Sequence, residues 1–289
     1  MTTLGPNTTP GTYEFQVLDL LHDPYFNKWN QGQIDSYINE ARRQLVMDTG
    51  TLRSLQQTWL TAGQEQLVFG QVTGGAIVAP GSGYVAPTIA FAGGGGTGVS
   101  AALTESGGAV NTITFSNFGS GYVSAPSATV SDTAGTGAAV SVGVINVNTY
   151  DILGVHLYWG NERYTLQWAP FSKFSSIYRP YTAASYQRQP VCWAAYGDTT
   201  IFVGPTPDQN YALELDTIIL PTPFVVGDTT TVDPIPTKVQ DPIKFYAAYL
   251  AKYNAQSYGE ADTHLQAYMR RLREVSSAYT RRIPDVYQN

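Results

Sequence analysis

Charge is scarce in this 289-residue chain. Asp, Glu, Lys and Arg together make up 13% of it, about half the share usual in soluble proteins. A surface so poor in charge favours association over a free monomer. Cysteine is almost absent. Cys192 stands alone, which excludes an intramolecular disulfide and fits folding in a reducing cytoplasm. No run of roughly 18 apolar residues occurs, so no transmembrane helix or membrane anchor is expected. The opening Met1–Pro6 has neither a charged nor an apolar region of signal-peptide type. Histidine occurs three times, at His22, His156 and His264. None has a second ligand at metal spacing, so no metal and no cofactor is expected.

What is abundant is turn residues and tyrosine: 28 Gly, 17 Pro and 20 Tyr. Together they point to a β-rich protein with extensive contact surface, because Tyr offers a large rigid ring with a polar tip. The central feature is a duplication. Gly81-Ser82-Gly83-Tyr84-Val85 recurs as Gly119-Ser120-Gly121-Tyr122-Val123, Pro87 as Pro126, and Gly96-Thr97-Gly98 as Gly135-Thr136-Gly137. A fixed period of this size marks paired supersecondary units rather than a catalytic loop. Residues 71–144 also hold no Lys or Arg. They are expected to form an inserted all-β module of two similar halves set side by side. Gly81, Gly83, Gly119 and Gly121 supply its turns, and Tyr84 and Tyr122 occupy equivalent places. Low-complexity disorder is the rival reading, and the preserved register of Tyr, Val and Pro opposes it.

Outside the insert the pattern runs from helix to strand to helix. Residues 1–11 read as an extended arm. Thr12 caps a short helix carrying Phe15, Leu18 and Leu21 on one face. A longer helix carries Ile34, Tyr37, Ile38, Ala41 and Leu45 and stops at Gly50. Strand signals begin near Gln64 and resume at 151–158, 164–168, 191–196, 200–203 and 211–220, with hairpin turns at Gly160-Asn161 and Gly197-Asp198. Helix returns after Pro236 in two stripes, Ile243–Ala251 and Leu265–Val275, broken near Gly259. The predicted class is α+β: terminal helices forming one layer, a β-sheet body over 1–70 and 145–289, and the module over 71–144.

No constellation favours catalysis. Gly93–Gly98 lacks the Lys and the helix start of a phosphate loop. Cys192 sits in an apolar strand as a small core residue. Glu214 and Asp216 share a strand face, which fits a solvated or interface surface better than a glycosidase pair. The charge that exists is uneven: residues 235–289 carry eight Lys or Arg against five Asp or Glu, and the rest eight against seventeen. Arg270 and Arg273 share a helix face, and Arg281 and Arg282 follow. They suit either a solvated helix end or docking on an acidic partner.

Several segments, in order, resemble the head-to-tail adaptor (connector) proteins of tailed bacteriophages. They are Ile34–Arg43, Tyr150–Val155, Gly204–Leu215, Leu220–Pro223 and Asp241–Ala251. The resemblance implies a structural, non-enzymatic protein forming a homo-oligomeric ring, usually of twelve copies. Such a ring sits in the virion neck and is assembled in the host bacterial cytoplasm. It joins the portal protein to a tail tube or nozzle protein, and DNA passes through its channel without sequence-specific binding. In that setting Arg270, Arg273, Arg281, Arg282, Ile283 and Tyr287 are the expected portal contacts, and the insert faces a tail component such as the fibres. The alternatives are a tail-associated carbohydrate-binding or polysaccharide-degrading protein, which the aromatic content would suit, and a capsid decoration protein, which the repeats would permit.

Overall fold

A computed structural model describes residues 2–180 and 183–280, with side chains in the final helix as far as residue 275. The class is α+β: five α-helices among the described residues, the N- and C-terminal ones packed together, and several small antiparallel sheets. The chain divides into two compact units, Met1–Arg53 with Leu220–Asn289, and Ser54–Ile219.

The first unit is helical. α1 (Tyr13–Leu21) starts where the Thr12 hydroxyl accepts the Phe15 amide, and it stops at His22 in the left-handed region. α2 (Gln31–Thr49) opens with a reciprocal capping box between Asn30 and Gln33 and ends at Gly50, φ +60°. α4 (Asp241–Asn254) packs against α1, α2 and α5 (Tyr258–Thr280). Each successive turn of α2 sends one of Ile34, Ile38, Ala41 and Leu45 into a core that excludes water. Residues 2–11 are not a free arm. Leu4 is fully buried, Thr3 bridges Val232, and the Gly5 amide donates to the Asp228 carbonyl. Burial of that one leucine is worth about 1.5–3 kcal/mol, enough to hold a short polar segment in place.

The second unit holds two four-stranded sheets. The first has the order β1 (Arg53–Leu60), β14 (Tyr211–Ile219), β9 (Thr149–Trp159), β10 (Glu162–Thr165). The second runs β11 (Gln167–Trp168), β12 (Cys192–Tyr196), β13 (Thr200–Gly204), β2 (Gln66–Val68). Alternate residues of both, Val155 and Leu157, Leu213 and Leu215, Ile201 and Val203, meet in one core with Trp193 and Leu60. The other face of the second sheet buries Cys192, Ala194 and Phe202 under Phe174 of α3 (Phe171–Ile177). β2 and β9 flank the insert but lie in different sheets, contrary to the single flanking sheet expected from the sequence.

The insert contributes six strands: β3 (Val72–Ser82), β4 (Thr88–Ala92), β5 (Thr97–Ser106), β6 (Ala109–Ser120), β7 (Ser127–Ser131) and β8 (Thr136–Val144). By the repeat, β3 corresponds to β6, β4 to β7 and β5 to β8. The ladders are β3–β8, β4–β7 and β5–β6. Each therefore joins one repeat to the other, and among the described residues no ladder lies within a repeat. The halves are interlocked about a pseudo-two-fold axis through β4 and β7, rather than set side by side. The two ends of the insert come together, with the Gly70 amide donating to the Ile145 carbonyl at 2.7 Å.

Candidate functional site

α5 carries two stripes, where the sequence pattern shows one apolar face. Ala261 and Tyr268 point inward and are buried, while Met269, one residue on and about 100° round the helix, is half exposed. The Tyr268 hydroxyl donates to Asp48 of α2 at 2.5 Å, and its ring lies 4.9 Å from that of Tyr246. These contacts fix the rotation of α5. They leave Asp262, Leu265, Gln266, Met269, Arg270, Arg273 and Glu274 outward, around a shallow groove of about 550 Å³. Spacings of three and four residues put all seven on one side of the helix.

The arginines on this helix divide by role. Arg271 reaches Asp241 at the start of α4 at 3.2 Å and Glu274 at 3.0 Å, so it ties the helix pair together. The Arg270 side chain is 81% exposed and meets Glu274 only at 3.7 Å. Arg273 is exposed and makes no ion pair among the described residues. The structure brings Arg270 and Arg273 onto one amphipathic face with Leu265 and Met269, where Asp262 and Glu274 balance their charge. Arg281, Arg282, Ile283 and Tyr287 lie outside the described residues.

In the module, Tyr84 and Tyr122 are both buried, at 3% and 2% exposure. Gly81 and Gly119 share φ +64°, and Gly83 and Gly121 have φ +77° and +78°. A methyl on Gly81 would strike the Thr136 carbonyl and the Ala138 amide. One on Gly119 would strike the Thr97 carbonyl and the Val99 amide, the same places in the other repeat. The backbone follows the same rule: the Tyr84 amide donates to Gly108, and the Tyr122 amide to Gly70. The module core adds Val72, Val142 and Val144 beside Tyr122, with Phe91 and Phe115 against them. It meets β1 through a hydroxyl pair, Thr58 with Thr73, and through Trp59 and Ser141.

Ionisable groups elsewhere are mostly spoken for. Glu214 is bonded by the Tyr158 hydroxyl at 2.8 Å and paired with Arg163. It thus serves the sheet, and it raises the Tyr158 phenol above its ordinary value by that hydrogen bond. His156 meets the Thr165 hydroxyl, and partial burial lowers its basicity. Among the described residues, no group of three or more His, Cys, Asp or Glu is placed to hold a metal ion. Burial raises the Cys192 thiol above its ordinary value.

Two buried polar clusters in the helical unit escape sequence reasoning. Arg42 is 1% exposed. It forms two bonds with Asp233, at 2.9 and 3.1 Å, donates to the Thr222 carbonyl and stacks 3.8 Å over Phe224. The Tyr13 hydroxyl donates to the same carboxylate at 2.6 Å, and burial drives its phenol far above the ordinary range. The second cluster is Glu14 with Asp35, both fully buried, each with one carboxyl oxygen lacking a hydrogen-bond partner. Gln31 donates to Glu14 and the Gly227 amide to Asp35. Burial and the Glu14 charge push Asp35 up to about 7. Arg42 falls within the segment Ile34–Arg43 that carries the family resemblance, but nothing in the spacing announces that its guanidinium turns inward.

The model of a family described as SU10 adaptor protein matches residues 14–287. No curated protein matches the chain.

Proposed function

Because the chain belongs to the SU10 adaptor protein family, a family of phage head-tail adaptors, we propose that it forms a ring in the virion neck that joins the portal to the tail. The family role is structural, and no catalytic family is indicated. The ring, of about twelve copies, surrounds the path of the DNA without reading its sequence. No helix of the described residues is long and apolar enough to cross a membrane.

The observation that carries the portal contact is the outward stripe of α5, where Leu265 and Met269 lie beside Arg270 and Arg273. An apolar strip beside two exposed guanidinium groups, of which Arg273 makes no ion pair among the described residues, suits an acidic groove on a partner. Arg281, Arg282, Ile283 and Tyr287 extend the same basic segment and complete the docking sequence. Each exposed pair contributes only about 0.2–1 kcal/mol, and repetition round the ring turns weak contacts into firm attachment.

In this reading residues 71–144 are a separable module on a body of 1–70 and 145–289, and its outer surface meets a tail component such as the fibres. The close approach of Gly70 and Ile145 supports that division. The test is replacement of Arg270, Arg273, Arg281 and Arg282 by Glu, followed by binding to purified portals at low salt. The variant should fold as the parent does and lose portal attachment. Undiminished attachment would overturn the docking model.

A further inference from the structure

The two faces of the second sheet carry opposite charge next to exposed apolar groups. One hollow, of about 450 Å³, opens at the β12–β13 turn end on the Trp193 face. Tyr150 and Leu153 stand nearly half exposed around it, and Trp168 is 61% exposed. Its charged groups are Asp151 and Asp198, and neither forms an ion pair among the described residues. A monomer rarely leaves three such side chains in one hollow without a partner for them.

The complementary surface lies on the α3 side of the same sheet. Phe174 and Tyr178 of that segment face the sheet, and their rings are 5.5 Å apart. Lys173 and Ile177, also four residues apart, share the outward face. Ile177 is 44% exposed and, with Tyr186, Arg188 and Pro205, lines a second hollow of about 360 Å³. Lys173 and Arg188 are exposed and make no ion pair among the described residues. One surface is therefore aromatic and acidic, and the other apolar and basic. Strand alternation sets them on opposite faces, because Trp193 points one way and Cys192 and Ala194 the other.

We propose that the Trp168 hollow of one copy receives the Lys173–Ile177–Arg188 surface of the next copy. Like surfaces cannot pair, since acidic hollows repel one another, so the contact is head-to-tail. Repeated at a closing angle, such a contact gives a ring. The guanidinium of Arg188 suits both the Trp168 ring face and the two carboxylates. The inference rests on the ring reading of the adaptor and supplies its subunit contact.

The test is sedimentation velocity of the full chain over rising concentration at two ionic strengths. The parent should associate, and more weakly in high salt. D151R/D198R and K173E/R188E should each weaken association by roughly tenfold or more, because each puts like charges face to face. An equal mixture of the two variants should recover it, since the reversed hollow of one fits the reversed surface of the other. A parent that stays monomeric throughout, single variants that associate as it does, or a mixture that fails to recover would each overturn the contact. So would unchanged association of Trp168→Ala together with a soluble saccharide that perturbs the tryptophan fluorescence of the parent, since the hollow would then be a glycan site. Portal binding separates the two readings. If D151R/D198R still fills portals as the parent does, the subunit contact is wrong and the adaptor role stands. If the parent binds no portal, the adaptor role itself fails.

Discussion

The ring of Tyr84 lies on Gly135, and the ring of Tyr122 lies on Gly96: a methyl on either glycine would fall within 3.0 Å of the ring. Each tyrosine belongs to one repeat and its glycine to the other. The exchange explains why Gly-Ser-Gly-Tyr and Gly-Thr-Gly recur together. The first motif supplies a ring and the second the flat backbone on which a ring of the other repeat sits.

Replacement of Gly135 or Gly96 by Ala should therefore destabilise the module, although neither glycine has positive φ. The penalty is steric overpacking against a buried ring, on the order of 1–3 kcal/mol or more. Gly93→Ala is the contrast. That site has φ +80° but open space around it, so only the backbone strain of about 1–2 kcal/mol applies. Urea unfolding of the three variants should rank Gly93→Ala mildest. A harmless Gly135→Ala would mean that the Tyr84 ring does not rest there.

Cross-repeat pairing makes a second demand. A fragment of one repeat, such as 71–108, holds β3, β4 and β5, none of which pairs with another in the whole chain. It should be unfolded by circular dichroism, or fold only as a dimer that copies the exchange. Residues 71–144 together should give β signal as a monomer. In the reverse experiment, deletion of 71–144 with closure of Gly70 to Ile145 should leave the helical unit intact, while Thr58 and Trp59 lose their partners. Loss of helical signal in the deletion would show that the body depends on the module.

Helices were the most legible part of the sequence, because α2 and α4 bury simple stripes and α2 stops at a recognisable cap, Gly50. β1 was not legible. Its inward positions are Gln56, Thr58 and Leu60, and the two polar ones bond to Thr149, Thr217 and Thr73 instead of packing as apolar groups. A strand glued by side-chain hydrogen bonds shows no alternation of hydrophobicity. α3 is too short to display a period, and β3 and β5 are built of small residues that carry little β signal. The stripe read on α5 merged two faces, since Tyr268 and Met269 are adjacent in sequence but point to different surroundings. The repeat was plain at the level of motifs, but which strand pairs with which depends on long-range register. The arginines of α5 were visible as charge, while the separation of Arg271 from Arg270 and Arg273 required the position of Asp241.

The buried guanidinium of Arg42 yields a prediction about folding rather than docking. Asp233→Asn keeps the shape but leaves a positive charge in the core with a weaker partner. Breaking one side of a buried pair costs about 3–5 kcal/mol. Replacement of both, Arg42→Met with Asp233→Asn, should recover part of that loss, because no uncompensated charge remains. The Tyr13 hydroxyl still has the amide oxygen to bond. Thermal unfolding of the parent and the two variants checks this order. A double variant worse than Asp233→Asn would mean that the pair itself, not its balance, holds the unit.

The carboxyl pair of Glu14 and Asp35 should make the helical unit more stable in mild acid than above neutrality. Asp35 is pushed up to about 7 by burial and then by the Glu14 charge, while an exposed aspartate titrates near 4. Between those values the folded state binds a proton that the unfolded state does not. Stability therefore falls as pH rises from about 4 to about 7 and then levels, with an amplitude of roughly 1–4 kcal/mol for this one group. The proton sits where two oxygens, Oε2 of Glu14 and Oδ1 of Asp35, otherwise lack a partner. Asp35→Asn supplies the missing donor permanently. It should flatten the pH dependence across this range and raise stability at pH 8 relative to the parent, measured by urea unfolding at a series of pH values. If the parent gains stability between pH 5 and pH 8 and Asp35→Asn follows the same curve, the two carboxyl groups share no proton, and the pair is held apart by some other contact.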